Sequence, residues 1–135
     1  MATPVKILVA DDERELVEAI SDRLKAASYA VLAAYDGQQT LEIALRERPD
    51  LILLDVLMPV LDGYSCLRKI NAALGRSTIP VIVLTSREYM KDLFTLEGIQ
   101  DYLVKPFDPD ALLERIAAVL AKKRNPPAAD SDRPH

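Results

Sequence analysis

The run Leu51-Ile52-Leu53-Leu54 leads straight into Asp55. A carboxylate at the end of a buried run is costly unless it has a partner, a proton or a task. Three other apolar runs end on polar residues in the same way. Val5 to Ala10 delivers Asp11 and Asp12, Val81 to Leu84 delivers Thr85, and Tyr102 to Val104 delivers Lys105. Carboxylates brought this close repel one another, so either one keeps its proton or a cation lies between them. Oxygen donors without histidine or cysteine favour a hard ion, and such a site with room for water suits magnesium, with manganese as an alternative. A magnesium ion flanked by a lysine and a hydroxyl is equipped to hold a phosphoryl group, whose transfer depends on positioning and electrostatic stabilisation. A carboxylate can also be the nucleophile, giving an acyl phosphate. Asp55, between the acidic pair and Lys105, is best placed for that role.

For these groups to meet, the runs must be parallel strands of one sheet. Val5 to Ala10 is short, branched and mostly apolar, a strand buried on both faces. From Glu13 to about Ala27 a stripe of Leu16, Ile20 and Leu24, with Val17 beside it, predicts a helix that Asp12 is placed to cap. Tyr29 to Ala34 reads as a weaker strand at an edge. Asp36-Gly37 makes a turn, and Leu41, Ala44 and Leu45 mark a second helix ending before Pro49. Leu51 to Asp55 is the third strand, followed by a helix carrying Leu67, Ile70 and Leu74 and stopped by Gly75. Pro80 introduces the fourth strand, Val81 to Leu84. An indistinct helix follows, roughly Glu88 to Leu96, with Tyr89, Leu93 and Leu96 as its apolar positions. Asp101 to Val104 is the fifth strand. Asp108-Pro109, a cap followed by a proline at the first helical position, opens a helix bearing Leu112, Leu113, Ile116, Val119 and Leu120. Such alternation predicts an α/β fold, a doubly wound five-stranded parallel sheet with five helices and right-handed crossovers. The flavodoxin-like order 2-1-3-4-5 sets the first and third strands side by side at the switch point, where ligands bind beyond the carboxyl ends. Asp11, Asp12 and Asp55 fall there.

The chain of 135 residues suits one domain. Residues 1–124 are expected to form it, with 125–135 as a flexible tail or a truncated linker, since no apolar period continues past Arg124. Apolar residues make up 50% of the chain, which excludes wholesale disorder, and a net charge of −4 gives no electrostatic basis for direct nucleic-acid binding. No apolar stretch approaches the roughly 20 residues of a membrane span, and Met1-Ala2-Thr3-Pro4 lacks the features of a signal peptide. The single cysteine, Cys66, fits a reducing compartment and a packing role. The expectation is a soluble cytoplasmic protein.

Each polar feature has a plain explanation when taken singly. Asp11-Asp12 and Thr85-Ser86 could cap helices, Lys105 could be a solvated charge, and Met58-Pro59 and Asp62-Gly63 could punctuate turns. Their arrival at one sheet edge favours the joint chemical reading. Over residues about 4 to 123 the chain resembles the receiver domain of two-component response regulators. The resemblance is carried by Asp11-Asp12, by Asp55 within Asp55-Val56-Leu57-Met58-Pro59-Val60-Leu61-Asp62-Gly63, by Thr85, and by Tyr102-Leu103-Val104-Lys105-Pro106-Phe107. It implies that Asp55 accepts a phosphoryl group from a sensor histidine kinase or phosphotransfer protein. It also implies magnesium held by Asp12, Asp55 and the backbone carbonyl of Leu57, with Asp11 acting through water. Thr85 and Lys105 would grip the phosphoryl oxygens, and the Lys105-Pro106 bond would be cis. Thr85 drawn inward would let Tyr102 turn toward the interior, changing the surface of the fourth helix, fifth strand and fifth helix.

The chain departs from the family pattern in three places. Ser86 stands where alanine or glycine usually follows the threonine. Leu57 and Arg87 line the mouth of the site, where a bulky apolar group and a long cation are expected to obstruct water and slow loss of the phosphoryl group. The segment from Thr85 to Gly98 is about two residues short for the family, so the fourth helix is expected to be short, displaced or poorly ordered. Asp101 and Arg115 lie where some DNA-binding members form ion pairs across a dimer, and the expected state is a monomer or a weak phosphorylation-dependent dimer. Two rival functions follow. A phosphatase of the haloacid-dehalogenase type needs a second aspartate two positions after the nucleophile, and Leu57 stands there. A degenerate receiver would bind proteins without phosphorylation. The leading expectation is a switch that catalyses its own phosphorylation and slow dephosphorylation and is otherwise not an enzyme. No downstream target can be read from the chain.

Overall fold

The computed structural model describes residues 3–76, 78–86 and 91–124. Five strands, β1 (Lys6–Ala10), β2 (Ala30–Ala34), β3 (Leu51–Asp55), β4 (Val81–Thr85) and β5 (Asp101–Val104), form one parallel sheet in the order β2-β1-β3-β4-β5. Between and after them run α1 (Arg14–Ala26), α2 (Gly37–Glu47), α3 (Gly63–Leu74), α4 (Lys91–Leu96) and α5 (Pro109–Arg124). This is the flavodoxin-like, doubly wound arrangement anticipated from the alternating runs. The central strands β3 and β4 are buried at every position, which is why they read as unbroken apolar runs, whereas the edge strands β2 and β5 are mostly half-buried.

Because strand side chains alternate, the sheet divides the interior into two cores. Ile7, Val9, Leu51, Leu53, Ile82 and Leu84 face the layer built with α1 and α5. Leu8, Ala10, Ile52, Leu54, Val81 and Val83 face the layer that includes Cys66, Leu67 and Ile70 of α3 and Phe94 of α4. Burial, with the charge of Asp62 nearby, pushes the Cys66 thiol up to about 12, so it stays protonated and acts as packing.

Local chemistry sets the element ends. Asp36 and Asp62 are extended N-caps whose carboxylates accept from the backbone N–H groups of Gln39 and Ser65 at 2.7 and 2.8 Å. Asp108 accepts from the Asp110 N–H at 3.1 Å with Pro109 at the first helical position. The start of α1 differs from expectation. Its N-cap is Glu13, not Asp12, and the Glu13 side chain makes no capping bond. Asp11 accepts the Glu13 N–H at 3.0 Å instead, leaving the carboxylate of Asp12 toward the sheet edge.

The fourth helix also needs correction. Leu96, expected on its apolar side, is 70% exposed, whereas Phe94 is fully buried. Phe94 lies edge-on to Tyr64 with ring centres 5.4 Å apart and tilted to Tyr102 at 6.3 Å. Asn71 of α3 donates from Nδ2 to the Glu97 carbonyl at 2.9 Å, tying the end of α4 to its neighbour. Arg87 and Tyr89 lie outside the described residues, as do the side chain of Leu93 and the segment 125–135.

Candidate functional site

Four strand ends meet at one edge of the sheet. Asp55 closes β3 and is 6% exposed, Thr85 closes β4 and is 1% exposed, and Asp11, just past β1, is 1% exposed. Asp12 is exposed beside them, and each of Asp11, Asp12 and Asp55 offers a carboxylate oxygen, all within 4.8 Å of one another. Lys105, one residue past β5, brings its Nζ to 2.6 Å from Asp11 Oδ2, 3.1 Å from Glu13 Oε1 and 3.5 Å from Asp55 Oδ1. Its backbone N–H donates to the Thr85 carbonyl at 2.7 Å, and the Lys105-Pro106 bond is cis. The same alternation that divides the core places Asp11, Asp55 and Lys105 on the α1/α5 face. Thr85 has the parity of Val81 and Val83, and Tyr102 packs on that opposite layer.

The loop from β3 to α3 is folded tightly against the site. Gly63 donates its N–H to the Val56 carbonyl at 2.8 Å, and a Cβ there would lie 2.1 Å from the Asp55 carbonyl oxygen. Asp62-Gly63 is therefore more than turn punctuation, because the helix can start this close to Asp55 only without a side chain. Val60 in the same loop adopts φ +71°, a left-handed conformation unusual for a β-branched residue. Leu57 is 52% exposed and lines a cleft of about 970 Å³ together with Asp12, Asp55, Ser86, Lys105 and Phe107.

The charges at this edge act on one another. Burial, then the charge of Asp11, push the Asp55 carboxyl up to about 7, with Asp12 adding and Lys105 and the Val56 backbone N–H opposing. Burial alone would lower Lys105, but its hydrogen bond to Asp11 and the charge of Asp55 outweigh that and hold it above its ordinary value. A carboxylate this reluctant to ionise, in an all-oxygen trio, is chemically suited to a hard divalent cation, so the donor set fits magnesium. Glu13 is a member of this network that the sequence reading missed. The ion pair between Arg115 Nη1 and Asp101 Oδ2, 2.7 Å apart, closes within the chain.

An open, doubly wound sheet with an acidic pocket and a lysine at its switch edge defines a flavodoxin-like α/β domain with a charged site of the phosphate-handling kind. Residues 7–117 match the family model for the response regulator receiver domain, and the chain belongs to that family, whose members accept phosphorylation in two-component systems. The chain is 42% identical over 119 residues to a probable transcriptional regulator, ycf27, of Porphyridium aerugineum, covering 87% of this chain and 48% of the relative. It is 38% identical over 129 residues to the response regulator MprA of Mycobacterium leprae, covering 94% of this chain and 56% of the relative. The chain thus spans about half the length of the curated relatives it matches. Among solved structures, the chemotaxis protein CheY4 of Vibrio cholerae superposes with a TM-score of 0.80 at 31% identity, covering 87% of this chain and 99% of that one. The receiver domain of the sensor histidine kinase PA1611 of Pseudomonas aeruginosa, solved with magnesium coordinated in its active-site cleft, gives 0.80 at 32% identity, with coverages of 88% and 99%. No helix among the described residues is long and apolar enough to cross a membrane.

Proposed function

We propose that Asp55 is the phosphoacceptor of a two-component switch. The observation that carries this reading is the convergence of Asp11, Asp12 and Asp55 within 4.8 Å of one another, with Lys105 Nζ 3.5 Å from Asp55. An Asp55 carboxylate oxygen forms the new O–P bond as the P–N bond of a phosphohistidine breaks, its electron pair returning to the imidazole. Lys105 neutralises charge on the transferred oxygens, and the Thr85 hydroxyl donates to one of them. Asp12, Asp55 and the Leu57 carbonyl would hold magnesium or manganese, with Asp11 acting through water; the ion when bound screens the carboxylates and the phosphoryl charge. Thr85 and Tyr102, which belong to the same face of the sheet, are the proposed switch. Drawing Thr85 toward the phosphoryl group opens space that Tyr102 fills, altering the α4-β5-α5 surface.

The partners in this reading are a sensor histidine kinase or phosphotransfer protein and a downstream protein. The chain itself contacts neither nucleic acid nor membrane and turns over no separate substrate. Its state is a monomer or a weak dimer formed on phosphorylation, in the cytoplasm. The test is incubation with acetyl phosphate or a phosphohistidine donor, with and without magnesium, for wild type and Asp55→Ala. A metal-dependent, alkali-labile gain of one phosphate, lost in the variant, is expected. A folded wild-type chain that takes up no phosphate would overturn the reading in favour of a phosphorylation-independent binding module.

A further inference from the structure

Glu13 occupies the N-cap of α1, a position where Ser, Thr, Asp or Asn turns its side chain back onto the first helical N–H groups. Glu13 does not; its carboxylate reaches Lys105 Nζ at 3.1 Å, and its own N–H is held by Asp11 Oδ1 at 3.0 Å. Lys105 Nζ consequently lies closer to Asp11, at 2.6 Å, and to Glu13 than to Asp55, at 3.5 Å. An ammonium group has three donors, and two are engaged by these acids. The third is left for a phosphoryl oxygen, but Nζ stands 3.5 Å from Asp55 Oδ1, and drawing it toward that oxygen lengthens one of the two bonds that hold it on the far side. The side chain of Glu13 is 64% exposed and that of Asp11 is 1% exposed, so water can replace the lysine at Glu13 and not at Asp11.

We propose that Glu13 is a positioning residue, a tether that holds Lys105 back from Asp55 in the unphosphorylated domain and lets go as the phosphoryl group is captured. The proposal rests on the phosphoacceptor reading above. It makes the Glu13–Lys105 pair and the Lys105–phosphoryl contact compete for one ammonium group, so Glu13 sets how readily the site charges.

The test separates reach from charge. Glu13→Gln keeps the length and removes the charge, whereas Glu13→Asp keeps the charge, loses the reach and supplies a good N-cap. Phosphoramidate with magnesium serves as donor: an Asp55 oxygen forms the O–P bond while the P–N bond breaks, and its electron pair leaves on ammonia. Both variants are expected to charge about two- to fivefold faster than wild type, the range that a half-exposed ion pair is worth. Glu13→Asp should at the same time raise the denaturation midpoint, which a purely structural role could not combine with faster charging. In metal-free, unphosphorylated protein, the side-chain resonances of Lys105 should shift in both variants and stay unmoved in a Glu15→Gln control. Acceleration by Glu13→Gln alone would assign the effect to charge at the mouth of the site and overturn the tether. Unchanged rates, or a Lys105 signal that ignores Glu13, would overturn it as well. If folded wild type takes no phosphate while its Lys105 resonances respond to Glu13, it is the phosphoacceptor reading that fails, and the competition proposed here fails with it.

Discussion

Asp55→Asn should make the metal-free domain more stable. In the folded chain the Asp55 carboxyl is pushed from its ordinary 3.8 up to about 7 by burial and by Asp11. Native protein therefore binds a proton that the unfolded chain releases between about pH 4 and 7, and wild-type stability falls as pH rises through that window. Below it both states are protonated and no penalty exists; above it the penalty is constant. At about 1.4 kcal/mol per pH unit that window bounds the cost at about 4 kcal/mol, and adjustment of the exposed Asp12 side chain leaves about 2–4 kcal/mol. Asparagine is neutral throughout, so the variant's advantage should be near zero at pH 4, open between pH 4 and 7, and hold above. Urea midpoints in EDTA at several pH values measure it. Magnesium should then narrow the gap, because a ligand at 100 times its dissociation constant stabilises the native state by about 2.7 kcal/mol and the variant has lost one donor. A wild type as stable as Asp55→Asn at pH 8 in EDTA would refute the reasoning.

Gly63→Ala drives a methyl group into the Asp55 carbonyl, 2.1 Å from the Cβ position, and should cost about 1–3 kcal/mol in denaturant titrations while displacing Asp55. Phe94→Ala removes a fully buried ring and should cost about 3–5 kcal/mol, with hydrogen exchange in α4 rising more than in α1. Leu57→Asn opens the mouth of the site beside a half-exposed side chain, so phospho-Asp55 should hydrolyse faster. A lifetime unchanged or lengthened would remove Leu57 as a water barrier.

The proposed acceptor and the polar groups around it were legible because parallel strands buried on both faces are almost wholly apolar, so a polar residue at each end stands out. Asp55, Thr85 and Lys105 are such ends, and a five-stranded sheet has a favoured order that brings them together. The Asp12 cap was misread because local preference lost to tertiary demand: Asp11 holds the Glu13 N–H, and Asp12 is left to the acidic cluster. Glu13 was invisible for a different reason, since its partner Lys105 lies 92 positions away and no periodicity links them. Leu96 was placed on the apolar side of α4 in place of Phe94 because a helix this short holds too few turns for a period to distinguish the two. Gly63 looked like an ordinary turn glycine; only the close approach of the Asp55 carbonyl reveals its steric role.

The partition made by the sheet has a practical consequence. The side chains of the proposed acceptor and its lysine belong to one face and those of the proposed switch pair to the other, with the buried strands β3 and β4 between the two layers. Substitutions more than about 7–10 Å apart without shared partners add to within about 0.5 kcal/mol. Changes to the exposed side of α3 and to that of α1, on opposite sides of the sheet, should therefore combine nearly additively. Only Asp55 and Thr85, on neighbouring strands, must be carried unchanged through both.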